Sequence, residues 1–550
     1  ALLVSALLVG GLAPAVGATP GATSGNASTS PTPSTPSKTA STAPEHGRIL
    51  EAYPNPHARG DPGEYVVVAI PRPGNWTLSD GTTTVALPNR TGTFAASSDP
   101  DVAATRTDRP VYGLEGRFRL ANDGETLTLC ENGTGVDSVE YGRAPAGSRW
   151  LRDAGELFRD PDADGGWRAD GFRPREPTTV ENASGRAFVL PDSPGEPLTP
   201  IRTADERVLL AAYTLESWRL AEALVAARDR GATVRVLLEG APVGGATKSQ
   251  AAVLDLLDRQ GVEIRVLDGE RARYSYHHAK YAVADGSVVV LTENWKPSGT
   301  GGAGNRGWGV RVRDREVAAT ATSVFEHDAG WRDAVPWRRY RANASFRDGG
   351  TANGSYPARF PPRPFDDATV RLLVAPDNAE SELASMIDDA DERVAVVVPR
   401  TGGTEYRLVE AALGAAKRGA TVRLLLSGTW YDREENEAFA TEIRERGPLR
   451  GDLAVRIVEP RGRYGKLHAK GAVIDDTAVV GSLNWNDHSA SRNRELLVSV
   501  EDPAVAAFYW RVAAADWYGG SWRTPAGLVG GFLAVSLSAG AIARKRVRFA

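Results

Sequence analysis

The sequence predicts an α/β protein built from two similar halves, with an all-β segment before them and a membrane-spanning helix after them. Three observations carry this prediction. His278-Ala-Lys280 recurs as His468-Ala-Lys470, 190 residues later. Strand, helix and strand signals recur in the same order ahead of each copy. Residues 525–543 form an uncharged run that closes on the basic cluster Arg544-Lys545-Arg546-Val547-Arg548.

The halves open alike, at Asp205-Glu206-Arg207-Val208 and Asp391-Glu392-Arg393-Val394. Short apolar runs at 208–212 and 394–398 read as strands, and apolar 3–4 spacing at 220–227 and 408–416 reads as helices. Arg230-Gly-Ala-Thr-Val-Arg235 and its twin Arg418-Gly-Ala-Thr-Val-Arg423 lead into second apolar runs at 234–238 and 422–426. Elements of these lengths make βαβ units with a parallel strand pair. We take the halves as residues 186–345 and 365–522, each of ordinary domain size.

The repeated motif carries the chemistry. After His278 and Lys280 come Asp285, Thr292, Asn294 and Trp295; after His468 and Lys470 come Asp475, Ser482, Asn484 and Trp485. In both copies aspartate follows histidine by 7 residues and asparagine by 16. Residues 276–284 and 287–291 are rich in β-branched and aromatic side chains around Asp285-Gly286, so each motif reads as strand, turn, strand. On a strand, residues i and i+2 share a face, which projects histidine and lysine together. Asp285 and Asp475 open the turns, where bonding backbone N–H groups is their simplest role and catalysis the alternative. A pair of imidazoles, a pair of ammonium groups and a pair of carboxamides suit cleavage of a phosphodiester, which needs a nucleophile, a proton donor and fixed cations around the anion.

At these residues the chain resembles the phospholipase D superfamily, whose signature is HxKxxxxD followed by GSxN. The second copy, HAKGAVIDDTAVVGSLNW, matches it with one residue fewer between aspartate and glycine. The first, HAKYAVADGSVVVLTENW, has Leu291-Thr292 in place of Gly-Ser. Asn493 and Glu495 match a further family pattern, N-x-E, whereas Asn305 and Gly307 lack its acid, so the first half-site reads as degraded. The resemblance implies paired α/β/α halves with a shared site between them. It implies that one histidine forms a phosphohistidine and the other protonates the leaving oxygen. We take His278 as the nucleophile, as the first motif supplies it in several members, with His468 the alternative because Gly481, Ser482 and Glu495 could orient it. Ser482 and Glu495 would complete the second half-site, and no metal or other cofactor is expected. Because both half-sites lie in one chain, no obligate homodimer is needed.

Composition strengthens the assignment. Lysine occurs eight times against 57 arginines, yet two of the eight sit in the His-x-Lys pairs. A compact ammonium and a planar guanidinium are not interchangeable in a tight anion site.

The ends of the chain point to the cell surface. Residues 1–18, ending Val16-Gly17-Ala18, read as a secretory signal peptide. Residues 19–45 form a Ser/Thr/Pro-rich tract too poor in large apolar groups to pack, a disordered stalk. Sequons at Asn26, Asn75, Asn89, Asn132, Asn182, Asn343 and Asn353 fit an outside location. With Cys130 as the single cysteine there is no intrachain disulfide framework. About 20 apolar residues cross a bilayer, so 525–543 reads as a single-pass anchor with residues 544–550 as a cytoplasmic tail.

Residues 48–143 carry short β-rich runs broken by Pro, Gly, Asn and Asp. Ala-Tyr-Pro-Asn-Pro, Gly-Glu-Tyr-Val and Trp-Thr-Leu-Ser-Asp-Gly are among the stretches that resemble the lamin-tail domain, which implies an immunoglobulin-like sandwich used for binding or spacing. Residues 144–185 read as a linker. Within it Asp160-x-Asp162-x-Asp164-Gly165 imitates a calcium loop, but Gly171 stands where a glutamate is expected, so it reads as a solvated acidic turn.

The net charge of −4 gives no polyelectrolyte signature. Arg271, Arg273, Lys296, Arg461, Arg463, Lys466, Arg492 and Arg494 make the motif surroundings locally basic, either to steer phosphate or as ordinary solvated arginine. Three readings follow: a membrane-anchored extracellular phosphodiesterase acting on phospholipid, which we favour because a lipid surface is at hand; a nuclease of the same fold; and a surface binding protein that has lost catalysis. Retention of both histidines and both lysines argues against the third.

Overall fold

The computed structural model describes residues 46–519 apart from 57–59, 153–164, 173, 269–271 and 446–451. The expected signal peptide, stalk, anchor and tail lie outside the described residues, as do the aspartates of the calcium-like turn. Among the described residues no helix is long and apolar enough to cross a membrane.

The N-terminal region is rich in strands, arranged in two sheets. Six strands, in the order Gly166–Ala169, Ser148–Leu151, Arg48–Tyr53, Tyr65–Ile70, Gly92–Ser97 and Val111–Gly113, form one sheet. Thr84–Ala86, Trp76–Ser79, Glu125–Glu131 and Thr134–Tyr141 form the other. Ile49, Val66 and Val68 from the first meet Trp76, Leu78 and Leu127 from the second in one core. Asn132 and Gly133, both at positive φ, make the tight turn between the last two strands of the smaller sheet, the backbone that Asn-Gly favours.

The expected linker is a correction. Residues 144–185 contribute two strands to the first sheet, with Trp150 buried in its core, and the start of Thr178–Leu190 in the next domain. Their polar spacing hid pairing partners about a hundred residues away in the chain.

The remainder forms one sheet that runs through both halves. From its outer edge the first half contributes Ala334–Pro336, Glu263–Leu267, Thr233–Glu239, Arg207–Ala212, Tyr281–Ala284, Ser287–Leu291, Asn305–Arg313 and Thr178–Leu190. The second half continues with Arg363–Ala375, Glu495–Glu501, Thr477–Gly481, Gly471–Ile474, Arg393–Val397, Thr421–Ser427 and Leu453–Val458. Apart from the edge strand Ala334–Pro336, the second list repeats the first in mirror order, so the two halves meet at the antiparallel pair Thr178–Leu190 and Arg363–Ala375. The predicted βαβ units are present, with parallel pairing of Arg207–Ala212 to Thr233–Glu239 and of Arg393–Val397 to Thr421–Ser427.

Apolar periodicity places the helices. Trp218–Asp229 and Lys248–Arg259 cover the outer core of the first half, Arg407–Arg418 and Arg433–Glu445 that of the second. Arg315–Ala329 and Pro503–Tyr518 bury Val317, Phe325, Phe508 and Tyr509 in a core shared by both halves.

Candidate active site

The motif histidines lie just before strands, not inside them. The strand expected over 276–284 begins at Tyr281, because the segment ahead of it pairs with the other half. The His278 N–H donates to the Arg494 carbonyl, and the Arg494 N–H to the Tyr276 carbonyl, each at 2.9 Å. In the second half Lys466–Leu467 pairs with Asn305 and Arg306, and the His468 N–H donates to the Arg306 carbonyl at 3.0 Å. Each histidine is thus carried across to the opposite half.

There each one meets a carboxylate. Nδ1 of His278 lies 2.9 Å from both oxygens of Glu495, and Nδ1 of His468 lies 2.9 Å from Oε1 of Glu293. Asn493 donates to Glu495 at 3.1 Å and Asn305 to Glu293 at 2.7 Å. Sequence reading missed Glu293. The first half has no acid at Gly307, but a Cβ there would collide with Cγ of Glu293, whose side chain fills the vacated space. The acid has moved from the strand to the motif loop, so the first half-site is complete and the reading of it as degraded is corrected. Glu293 directly after Thr292 in a motif that lacks the N-x-E acid was the available signal.

The lysines are buried beside the imidazoles. Lys280 Nζ donates to the His278 carbonyl at 2.5 Å and Lys470 Nζ to the His468 carbonyl at 2.8 Å. Lys470 Nζ also lies 3.5 Å from the Thr292 carbonyl, which brings the half-sites together. Thr292 and Ser482 play one part: each hydroxyl accepts a backbone N–H from the next strand, from Trp308 at 3.0 Å and from Leu496 at 3.1 Å. Asn484 and His278, from different halves, line one open cavity of about 850 Å³. Asn294 is buried with no hydrogen-bond partner for Oδ1.

Asp285 and Asp475 do not join this cluster. Asp285 accepts the N–H groups of Asp205, Glu206 and Arg207 at 2.9–3.1 Å, and Asp475 those of Asp391, Glu392 and Arg393 at 2.8–3.0 Å. Both sit at positive φ and tie the hairpin turn to the start of a parallel strand. Their inclusion among candidate catalytic residues is therefore corrected.

Buried arginines brace the junction with the same symmetry. Arg494 meets Asp377 at 2.6 Å and Asp328 of the first half at 3.0 Å. Arg306 meets Asp192 at 2.6 Å and Asp516 of the second half at 3.0 Å. Each guanidinium therefore links both halves one residue from the chain segment that holds a catalytic-type histidine or carboxylate.

The two pairs differ electrostatically. Burial lowers His278 to about 4, against the pull of Glu495. Burial would raise Glu495, but His278 and Lys280 outweigh it and hold the carboxyl below its ordinary range. Burial and then Lys470 push His468 well below its usual value. Burial lifts Glu293 to about 7, with Lys470 opposing. Burial also lowers Lys470 to about 8 and Lys280 well below its usual value. Near neutral pH, then, His278 is a neutral imidazole facing an ionised carboxylate, while the His468–Glu293 pair holds a titratable proton.

Residues 198–329 and 383–517 match the family model described as "Cardiolipin synthase, PLD-like domain". No curated protein matches the chain. Among solved structures it is similar to phosphatidylserine synthase of Haemophilus influenzae Rd KW20, at 13% identity over 60% of this chain and 87% of that one, TM-score 0.44. It is similar to Nuc, a phospholipase D family member of Salmonella typhimurium, at 18% identity over 30% of this chain and 99% of that one, TM-score 0.24. NucT of Helicobacter pylori matches at 22% identity over 27% of this chain and 94% of that one, TM-score 0.23.

Proposed function

We propose, from the premise that this chain carries a phospholipase D-like domain in two halves, that it hydrolyses a phosphodiester through a phosphohistidine, with phospholipid as the substrate. The observation that carries the reading is the crossed pairing of His278 with Glu495 and of His468 with Glu293.

Nδ1–H of His278 donates to Glu495, which leaves the Nε2 lone pair free to attack phosphorus. As the P–N bond forms, the bond to the leaving oxygen breaks, and that oxygen takes a proton from Nε2 of His468. Glu293, with its carboxyl raised to about 7, keeps the His468 pair supplied with that proton. Water then gives a proton to His468 and attacks phosphorus, the P–N bond breaks, and a phosphomonoester leaves. Lys280, Lys470, Asn294 and Asn484 are suited to hold the non-bridging oxygens, whose charge grows in the transition state.

In the same reading, residues 525–543 hold the protein in the cell membrane with its catalytic body outside, and the N-terminal sandwich serves as a binding or spacing module. The test is to incubate the purified protein with labelled phospholipid vesicles and with single- and double-stranded DNA. Hydrolysis of phospholipid is expected; cleavage of DNA alone makes the protein a nuclease, and turnover of neither makes it a binding protein.

A further inference from the structure

Among the described residues six large hydrophobic side chains are exposed, and four of them, Trp218, Val243, Trp430 and Tyr431, follow parallel strands of the two halves. Trp430 is 85% exposed and Val243 75%. Each attaches to a segment of the site. Trp218 opens its helix next to Glu216 and Ser217, whose N–H groups donate to the carbonyl of Trp295, the residue after Asn294. Val243 lines the cavity that contains His278. The Tyr431 hydroxyl accepts from Nζ of Lys466 at 2.8 Å, two residues before His468, and Trp430 packs against it with ring centroids 5.4 Å apart.

Leaving such side chains in water forgoes the gain of burying them, and their attachment to segments of one site marks an interaction face. We propose that Trp218, Val243, Trp430 and Tyr431 form a rim that inserts into a phospholipid bilayer and seats the cleft on it, an inference that rests on the phospholipid reading. Tryptophan and tyrosine favour the headgroup level of a bilayer, with apolar body inward and polar edge in the wet layer. Lys466 donates to the Tyr431 hydroxyl and offers a cation beside it for a lipid phosphate. A nucleic-acid strand needs a basic track with stacking faces along it, whereas the charged residues of the cavity wall are Arg400 against Glu435, Glu442 and Asp487. In the proposed reading the uncharged run at 525–543 would keep a bilayer within reach of the chain.

The test places an environment-sensitive fluorophore at Val243→Cys and, separately, at Trp430→Cys in the full chain carrying Cys130→Ser. Val136→Cys, on the sandwich and also exposed, is the control. Adding phosphatidylcholine–phosphatidylglycerol vesicles should blue-shift and brighten the probes at 243 and 430 and leave 136 unchanged, and single-stranded DNA should shift none. Silence at either rim position, an equal response at 136, or a response to DNA in place of vesicles overturns the rim. Hydrolysis of the same vesicles by the unlabelled protein is followed in parallel. Hydrolysis with silent probes refutes the rim and keeps the substrate; shifted probes without hydrolysis keep the rim and refute the substrate.

Discussion

The carboxyl of Glu293 lies 2.9 Å from Nδ1 of His468, although 175 residues separate them in the chain. Glu495 holds His278 in the same way across 217 residues. Neither half-site is whole without the other, so the candidate site belongs to the junction.

His278→Asn and His468→Asn should each abolish phosphodiester hydrolysis. Mass spectrometry of enzyme quenched during turnover of a slow substrate should find the substrate's phosphate, still esterified to its retained alcohol, bonded to His278. Phosphate on His468 would reverse the two roles, and full activity in either variant would end the two-histidine mechanism.

The pH profile should follow Glu293. With its carboxyl at about 7, the His468 pair holds its proton below that pH and loses it above, so kcat/KM should fall as pH rises through about 7. Lys470, at about 8, adds a second fall. Glu293→Gln cannot titrate and should flatten the step near 7 while lowering the rate on the order of 10²-fold, the smaller end of general acid contributions. An unchanged profile would remove Glu293 from the proton path.

Gly307 and Glu293 should be coupled. Gly307→Ala alone forces its Cβ into Cγ of Glu293 and should cost activity and about 1–3 kcal/mol of stability, the usual price of overpacking. In a Glu293→Ala background the three nearest atoms to that Cβ are gone, and the same substitution should cost much less stability. Additive effects in this double-mutant cycle would show that the two positions do not share one volume.

Asp285→Ala should destabilise without altering chemistry. It strips an acceptor from three backbone N–H groups and requires alanine to hold a positive φ. A loss of about 1–3 kcal/mol is expected, read as a lower Tm with kcat retained in the folded fraction. A large fall in kcat at temperatures where the variant is folded would return Asp285 to the site.

Arg494→Met should be more severe. It strips Asp377 of its buried ion-pair partner and leaves Asp328 with the more distant Arg273, a change that costs about 3–5 kcal/mol when one partner of a buried pair is removed. Denaturant titration measures it, and a loss under 1 kcal/mol would mean that the cluster is solvated.

The sequence by itself determined the duplication, the βαβ units and the pairing of histidine with lysine in each motif. These are local facts, set by side-chain period, turn residues and fixed offsets along one stretch of chain. It also supplied the alternative for Asp285 and Asp475 that the structure bears out, because an aspartate that opens a tight turn meets backbone donors within a few ångströms. Which acid serves which histidine was decided only by the tertiary structure. A hydrogen bond across about two hundred residues leaves no periodicity, and the move of the acid from position 307 to 293 keeps the space filled while erasing the pattern. The strands hidden in 144–185 escaped for the same reason, since a strand with polar spacing is recognisable only when its partner is in place.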